Sequence, residues 1–90
     1  MNNEQRIDYI RQRLTKELAP TELEIIDDSH LHAGHASARG GGHFRVMLVS
    51  EAFAGKTMIQ RHRLVYTAMG DAMNNEIHAL SIKAYTPNEL

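Results

Sequence analysis

The sequence predicts an α+β fold: one small domain in which a three-stranded mixed sheet packs against helices, in the order α-β-β-α-α-β. Three observations predict it. Apolar residues recur every three or four positions over 4 to 18 and from Met58 to Met73, the period of helices with one buried stripe. They alternate in "TELEIID", "HFRVMLVS" and "EIHALSIKAY", the period of strands. A chain of 90 residues has room for one compact core, so all of these elements belong to a single domain, 1–90.

The first helix, over 4 to 18, sets Ile7, Ile10, Leu14 and Leu18 at helical spacing, with Asn2 or Asn3 as its N-cap and Pro20 as its stop. Leu23 and Ile25 then alternate with Glu22 and Glu24, so the first strand keeps one face toward water and ends near Asp28. A loop rich in histidine and glycine follows, over about 29–42, longer than the usual hairpin connection. The second strand carries Phe44, Val46 and Leu48 on one face and Met47 and Val49 on the other, the mark of a central strand. A very short helical piece at 51 to 54 precedes a turn at Gly55. In the long helix, Ile59, His62, Tyr66, Met69 and Met73 form the stripe expected to face the core, and Asn74 and Asn75 break it. The last strand puts His78, Leu80 and Ile82 on one face, and Pro87 opens a short tail, 86–90. Strands one and two pair as a long-looped hairpin; strands two and three, joined through a helix, imply a right-handed parallel crossover.

Composition narrows the function. Net charge is -1, so the chain lacks the basic field of a dedicated nucleic-acid binder, although a local patch is compatible with it. The start is charged and no run of about 18 apolar residues occurs, so a cytoplasmic location is expected. With no cysteine, the chain cannot form a disulfide, offer a thiol nucleophile or hold a thiolate-ligated cluster by itself. No Ser, His and Asp set and no carboxylate pair stands out, so no enzyme is expected.

The histidines carry the chemistry that remains. His30, His32, His35 and His43 lie in or beside the long loop, and imidazole suits zinc, copper, nickel or iron. The loop reads either as an arm that swings one histidine to a metal shared with a partner, or as a solvated turn. There is no "HExxH" to make a self-contained zinc site. His62 sits between Arg61 and Arg63; the histidine is expected to be buried and hydrogen-bonded, and the arginines to meet phosphate or a partner's acidic groups, or simply water. His78 opens the last strand, where a ring can pack its body and expose one nitrogen. "FAGK" places a turn before a helix N-terminus, where anions are favoured, but the full phosphate-loop pattern is absent.

"DDSHLHAGH", "GGGHFRVMLVSEAFAGK", "QRHRLVY" and "IHALSIKAYTP" together resemble the BolA family, from Arg6 to Glu89, with Phe53, Gly55, Arg61, His62, Arg63, His78 and Ala79 in the family's order and spacing. The resemblance implies a domain similar to the class II KH fold. Its "GxxG" loop would read "GKTM" here, without the second glycine, which speaks against KH-type clamping of RNA. The resemblance also implies a heterodimer with a monothiol glutaredoxin around a bridging [2Fe-2S] cluster, in which the glutaredoxin cysteine and glutathione supply thiolates and this chain supplies imidazole. No cluster is then held by the free chain, which is expected to be a monomer or weak dimer. The ligands that the resemblance assigns are His78 and, in the loop, His35, with His32 in reserve. The same family implies a second role, as transcriptional regulators of stress response and cell morphology that bind DNA through a helix-turn-helix-like element, with Lys56, Arg61 and Arg63 meeting phosphates.

Overall fold

The structure, a computed structural model, describes residues 2–28, 42–70 and 77–90, with His78 described by its backbone. Helix α1 spans Asn3–Leu18 and is started by a reciprocal cap: Asn2 Oδ1 accepts from Gln5 N at 2.8 Å, and Gln5 Oε1 accepts from Asn2 N at 2.9 Å. It ends at Ala19, which adopts the left-handed conformation (φ 44) just before Pro20. Ile10, Leu14 and Leu18 are buried, and Ile7 and Tyr9 pack at the margin of the same core.

Strands β1 (Glu22–Asp27) and β2 (Gly42–Val49) are antiparallel, and β3 (Ile77–Tyr85) lies parallel to β2, in the order β1-β2-β3. The mixed sheet and the central place of β2 are as the alternation predicts. Phe44, Val46 and Leu48 meet Leu80, Ile82 and Ala84 of β3 in register, and all six belong to the core. Strand β2 starts one residue earlier than expected. Gly42 is buried within it, and a Cβ there would lie 2.1 Å from Cε2 of the Phe44 ring, so the last of the three glycines gives room for that ring rather than slack to the loop.

After β2, a 3-10 turn (Glu51–Phe53) drops Phe53 fully into the core, and Gly55 (φ 72) reverses the chain into α2 (Met58–Met69). Thr57 caps α2 reciprocally with Gln60. The helix stops at Gly70, before the expected Met73, which lies outside the described residues. Its buried stripe also differs from the expected one: Arg61, Val65, Ala68 and Met69 face inward, whereas Ile59 is 66% and Tyr66 42% exposed. The inward stripe takes in a charged residue because that residue makes four hydrogen bonds there, which an apolarity count cannot register. A second 3-10 turn (Pro87–Glu89) closes the tail. Both helices lie on one face of the sheet, α1 over β1 and α2 over β3, and among the described residues the opposite face carries no helix. No helix among the described residues is long and apolar enough to cross a membrane.

Candidate functional site

Parallel pairing starts β2 and β3 side by side at the same end of the sheet. The ladder there is irregular: Gly42 pairs with Ile77 and His43 with Ala79, so β3 spends two steps where β2 spends one, and His78 is the extra residue of a bulge. Strict alternation would place His78 on the face of Leu80 and Ile82. Ile77 and Leu80 are both in the core, however, so the bulge breaks the alternation between them and that assignment of a face no longer follows.

The same end of the sheet receives the histidine loop. Strand β1 leaves it at Asp27, and β2 comes back at Gly42, directly beside the bulge. His30, His32 and His35 lie outside the described residues, but both ends of their loop are fixed. Asp28 N donates to the His43 carbonyl at 2.8 Å, the Asp28 carboxylate pairs with Arg45 at 2.5 Å, and Asn3 Nδ2 donates to Asp27 at 3.0 Å. His43 itself is 9% exposed. On the other side, Tyr9 Oη donates to the Met69 carbonyl at 3.2 Å and Arg13 Nε to the Ala68 carbonyl at 2.8 Å, which pins the end of α2 from which the chain proceeds to Ile77. Sequence reasoning passed over Tyr9 and Arg13, since nothing in a helix pattern says which polar residue caps a neighbouring helix. Among the described residues no group of three His, Asp or Glu side chains is assembled as a metal site.

His62 is half-buried, and its Nε2 is enclosed without a hydrogen-bond partner among the described residues, where the sequence led us to expect a satisfied histidine. Its two flanking arginines part company. Arg61 is 7% exposed and donates from Nε to the Lys56 carbonyl (2.9 Å), from Nη1 to the Ala84 carbonyl (3.1 Å) and, through both Nη atoms, to Glu89 (2.6 and 3.0 Å). These four hydrogen bonds tie the turn before α2, the end of β3 and the tail together, where the sequence reading set Arg61 against phosphate or a partner's acidic groups. The guanidinium, first, and the Thr86 backbone N–H, second, hold the Glu89 carboxyl well below its ordinary 4.5, at about 2. The sequence did offer a sign of this, because Thr86, Pro87 and Glu89 have the spacing of a capped turn. Arg63 points the other way and, with Lys56, Gln60, Leu64 and Thr67, lines a shallow depression of about 240 Å³ on the exposed side of α2. Lys56 and Arg63 thus lie at one depression, and Arg61 does not line it.

Against known proteins, the profile of the BolA-like protein family matches residues 14–89. A SufE-like protein of Arabidopsis thaliana, chloroplastic/mitochondrial, is 48% identical over 87 residues, 90% of this chain and 24% of that protein. The chloroplastic protein BOLA1 of the same plant is 44% identical over 90 residues, 96% of this chain and 56% of that protein; the chain thus spans about a quarter of one and just over half of the other. The DNA-binding transcriptional regulator BolA of Vibrio cholerae is 40% identical over 82 residues, 91% of this chain and 76% of that protein. Among solved structures, the BolA domain of SufE1 from Arabidopsis thaliana superposes with a TM-score of 0.85 at 44% identity, covering 100% of this chain and 99% of that one.

Proposed function

This chain belongs to the BolA-like family, and from that premise we propose that it is a non-enzymatic cytoplasmic regulator that partners a monothiol glutaredoxin and lends imidazole ligands to a bridging [2Fe-2S] cluster. The observation that carries the reading is the convergence at one end of the sheet: the histidine loop returns to β2 at Gly42, next to the bulge that holds His78. A bulge at that point is the usual device for re-aiming a side chain beside a site. The donor chemistry fits as well. A chain without cysteine brings no thiolate, so the soft ligands come from the glutaredoxin and glutathione, and His78 with His35, or His32 in its place, completes the set. Mixed thiolate and imidazole ligation gives such a cluster a higher reduction potential than thiolates alone, as in Rieske centres. This chain's own contribution is placement: Asp28, Arg45 and Asn3 hold the base of the loop, and Tyr9 and Arg13 hold the end of α2 ahead of His78.

The test is anaerobic mixing with a monothiol glutaredoxin that carries its glutathione-ligated cluster, followed by visible circular dichroism and sizing. A new spectrum and a stable heterodimer are expected, altered in His78→Ala and in His35→Ala. No heterodimer with the wild-type chain would overturn the reading.

A second reading, DNA binding, is favoured by the pairing of Lys56 with Arg63 in one depression and by the bacterial relatives that are named DNA-binding regulators. With two phosphate-directed cations on a chain of net charge -1, such binding is weak, with a shallow salt dependence of slope about −2. The doubly substituted Lys56→Glu, Arg63→Glu chain separates the two, since it would abolish binding to DNA and leave the cluster spectrum of the heterodimer in place.

A further inference from the structure

The face of the sheet that the helices leave open carries a pattern of its own. Strand register sets rows across it, of which Glu24, Met47 and Lys83 form the middle one and Glu22, Val49 and Tyr85 the next. Glu24 and Lys83 are exposed and Met47 is half-buried between them, so the middle row is apolar in the centre and oppositely charged at its two edges, while the adjoining row sets Ile26, 38% exposed, beside Arg45 and Ser81. These residues line a shallow depression of about 280 Å³. Glu24 and Lys83 lie two strand spacings apart, about 10 Å, too far to pair with each other. Neither has an ion-pair partner among the described residues.

We propose that this open face is the surface through which two copies of the chain associate. Two isologous stackings of the sheet on itself are available. With the two-fold axis running across the strands, Glu24 would lie over Glu24 and Lys83 over Lys83, and both contacts repel. With the axis running along β2 and over Met47, β1 of each copy stacks on β3 of the other. The middle row then meets itself reversed: Glu24 over Lys83, Met47 over Met47, Lys83 over Glu24. The next row does the same, with Glu22 over the Tyr85 ring and its hydroxyl. Two sheets stack about 10 Å apart, a gap that a lysine and a glutamate bridge, and the crossing of about 30° usual for aligned sheets leaves the pairs nearest the axis in register. Arg45 would meet its own copy, but it is already neutralised by Asp28. The pattern is therefore complementary to itself in one orientation and not in the other, and that selects a second copy of this chain as the occupant.

Size fixes the strength. Three strands of about eight residues make a face of roughly 14 by 27 Å, so about 750 Å² is buried over both copies. That is below the roughly 1,200 Å² of standard stable interfaces, so the dimer is weak and populates at high protein concentration. It leaves the Lys56 and Arg63 side of α2 free, since α2 packs on the other face of the sheet.

Sedimentation equilibrium up to about 1 mM chain, a weak-affinity range, tests this with charge reversals. Lys83→Glu and Glu24→Lys each create two like-charge contacts per dimer and are expected to raise the midpoint of self-association at least about tenfold. The double variant Glu24→Lys, Lys83→Glu restores both pairs and is expected to return the midpoint toward that of the wild type. Both substituted positions lie on the solvent side of the sheet, and thermal melts verify that the three variants remain folded. A wild-type chain that stays monomeric throughout, a dimer indifferent to Lys83→Glu, or a double variant no better than the single ones would each overturn the proposal.

Discussion

At the end of the sheet where β2 and β3 finish, almost every polar group is tied across elements. Ser50, 1% exposed, donates from its hydroxyl to the Leu18 carbonyl at 2.5 Å and accepts from Ala52 N at 3.1 Å. Its backbone N–H donates to Tyr85, Thr21 N donates to Val49, and Arg61 links Lys56, Ala84 and Glu89. At the opposite end, where the two strands start, the ladder is interrupted by the bulge at His78, and the links that hold the loop base run through half-exposed side chains such as Arg45. One end is built from buried bonds, whose loss strands a partner away from water; the other is built from bonds that water can replace. Rigidity at the first end frees the second to carry polar, ligand-type residues that contribute little to folding.

The largest expected difference comes from breaking the tied end. Phe53 is 0% exposed and anchors the turn between β2 and α2, so Phe53→Ala is expected to cost about 3–5 kcal/mol in urea unfolding. A cost below about 1 kcal/mol would mean that the turn is not anchored there. A smaller and conditional effect sharpens the comparison through pH. The folded-state pKa of Glu89, about 2, lies below its ordinary 4.5, so its pairing with Arg61 stabilises the fold fully above pH 4.5 and is lost as the pH falls from there through about 2. In Glu89→Gln that share of the acid dependence is expected to vanish, so the unfolding midpoints of variant and wild type converge as the pH is lowered through this window. Parallel curves would show that the tail is not held by this pair.

How far the sequence spoke for itself follows the same division. Elements that follow a periodic pattern were legible: the helix start at Asn2, one of two candidate caps, the alternation of β1 and β2 and the crossover to β3 all follow from spacing. What was not legible depends on long-range partners. The stripe of α2 falls on Ile59 and Tyr66 because Arg61 counts as polar, whereas Glu89 and the Ala84 carbonyl, 28 and 23 residues away, together with the Lys56 carbonyl make its burial tolerable. Likewise the bulge at His78 comes from the register between β2 and β3, which no period-two reading of β3 alone contains. His78 as a ligand rests on its place at the entrance of the last strand, on the face of Leu80 and Ile82, and on the family resemblance; the register removes the face assignment from the first of these grounds.

The smallest expected effect is also the one that most directly tests the open end. The Asp28 and Arg45 pair looks strong by distance, 2.5 Å, and closes the base of the histidine loop. Distance is not the deciding quantity, though. The Arg45 side chain is 56% exposed and that of Asp28 14%, so the arginine regains water with little penalty when its partner is removed, and a pair with one end in solvent contributes less than about 1 kcal/mol. Asp28→Ala should therefore leave the urea midpoint nearly unchanged, even though it removes the shorter of the two arginine–carboxylate contacts. If it instead destabilises the chain as much as Phe53→Ala does, the loop base is a structural joint like the other end of the sheet. Helix, turn and loop would then unfold as one, and the separation of a tied end from a ligand-bearing end would have to be given up.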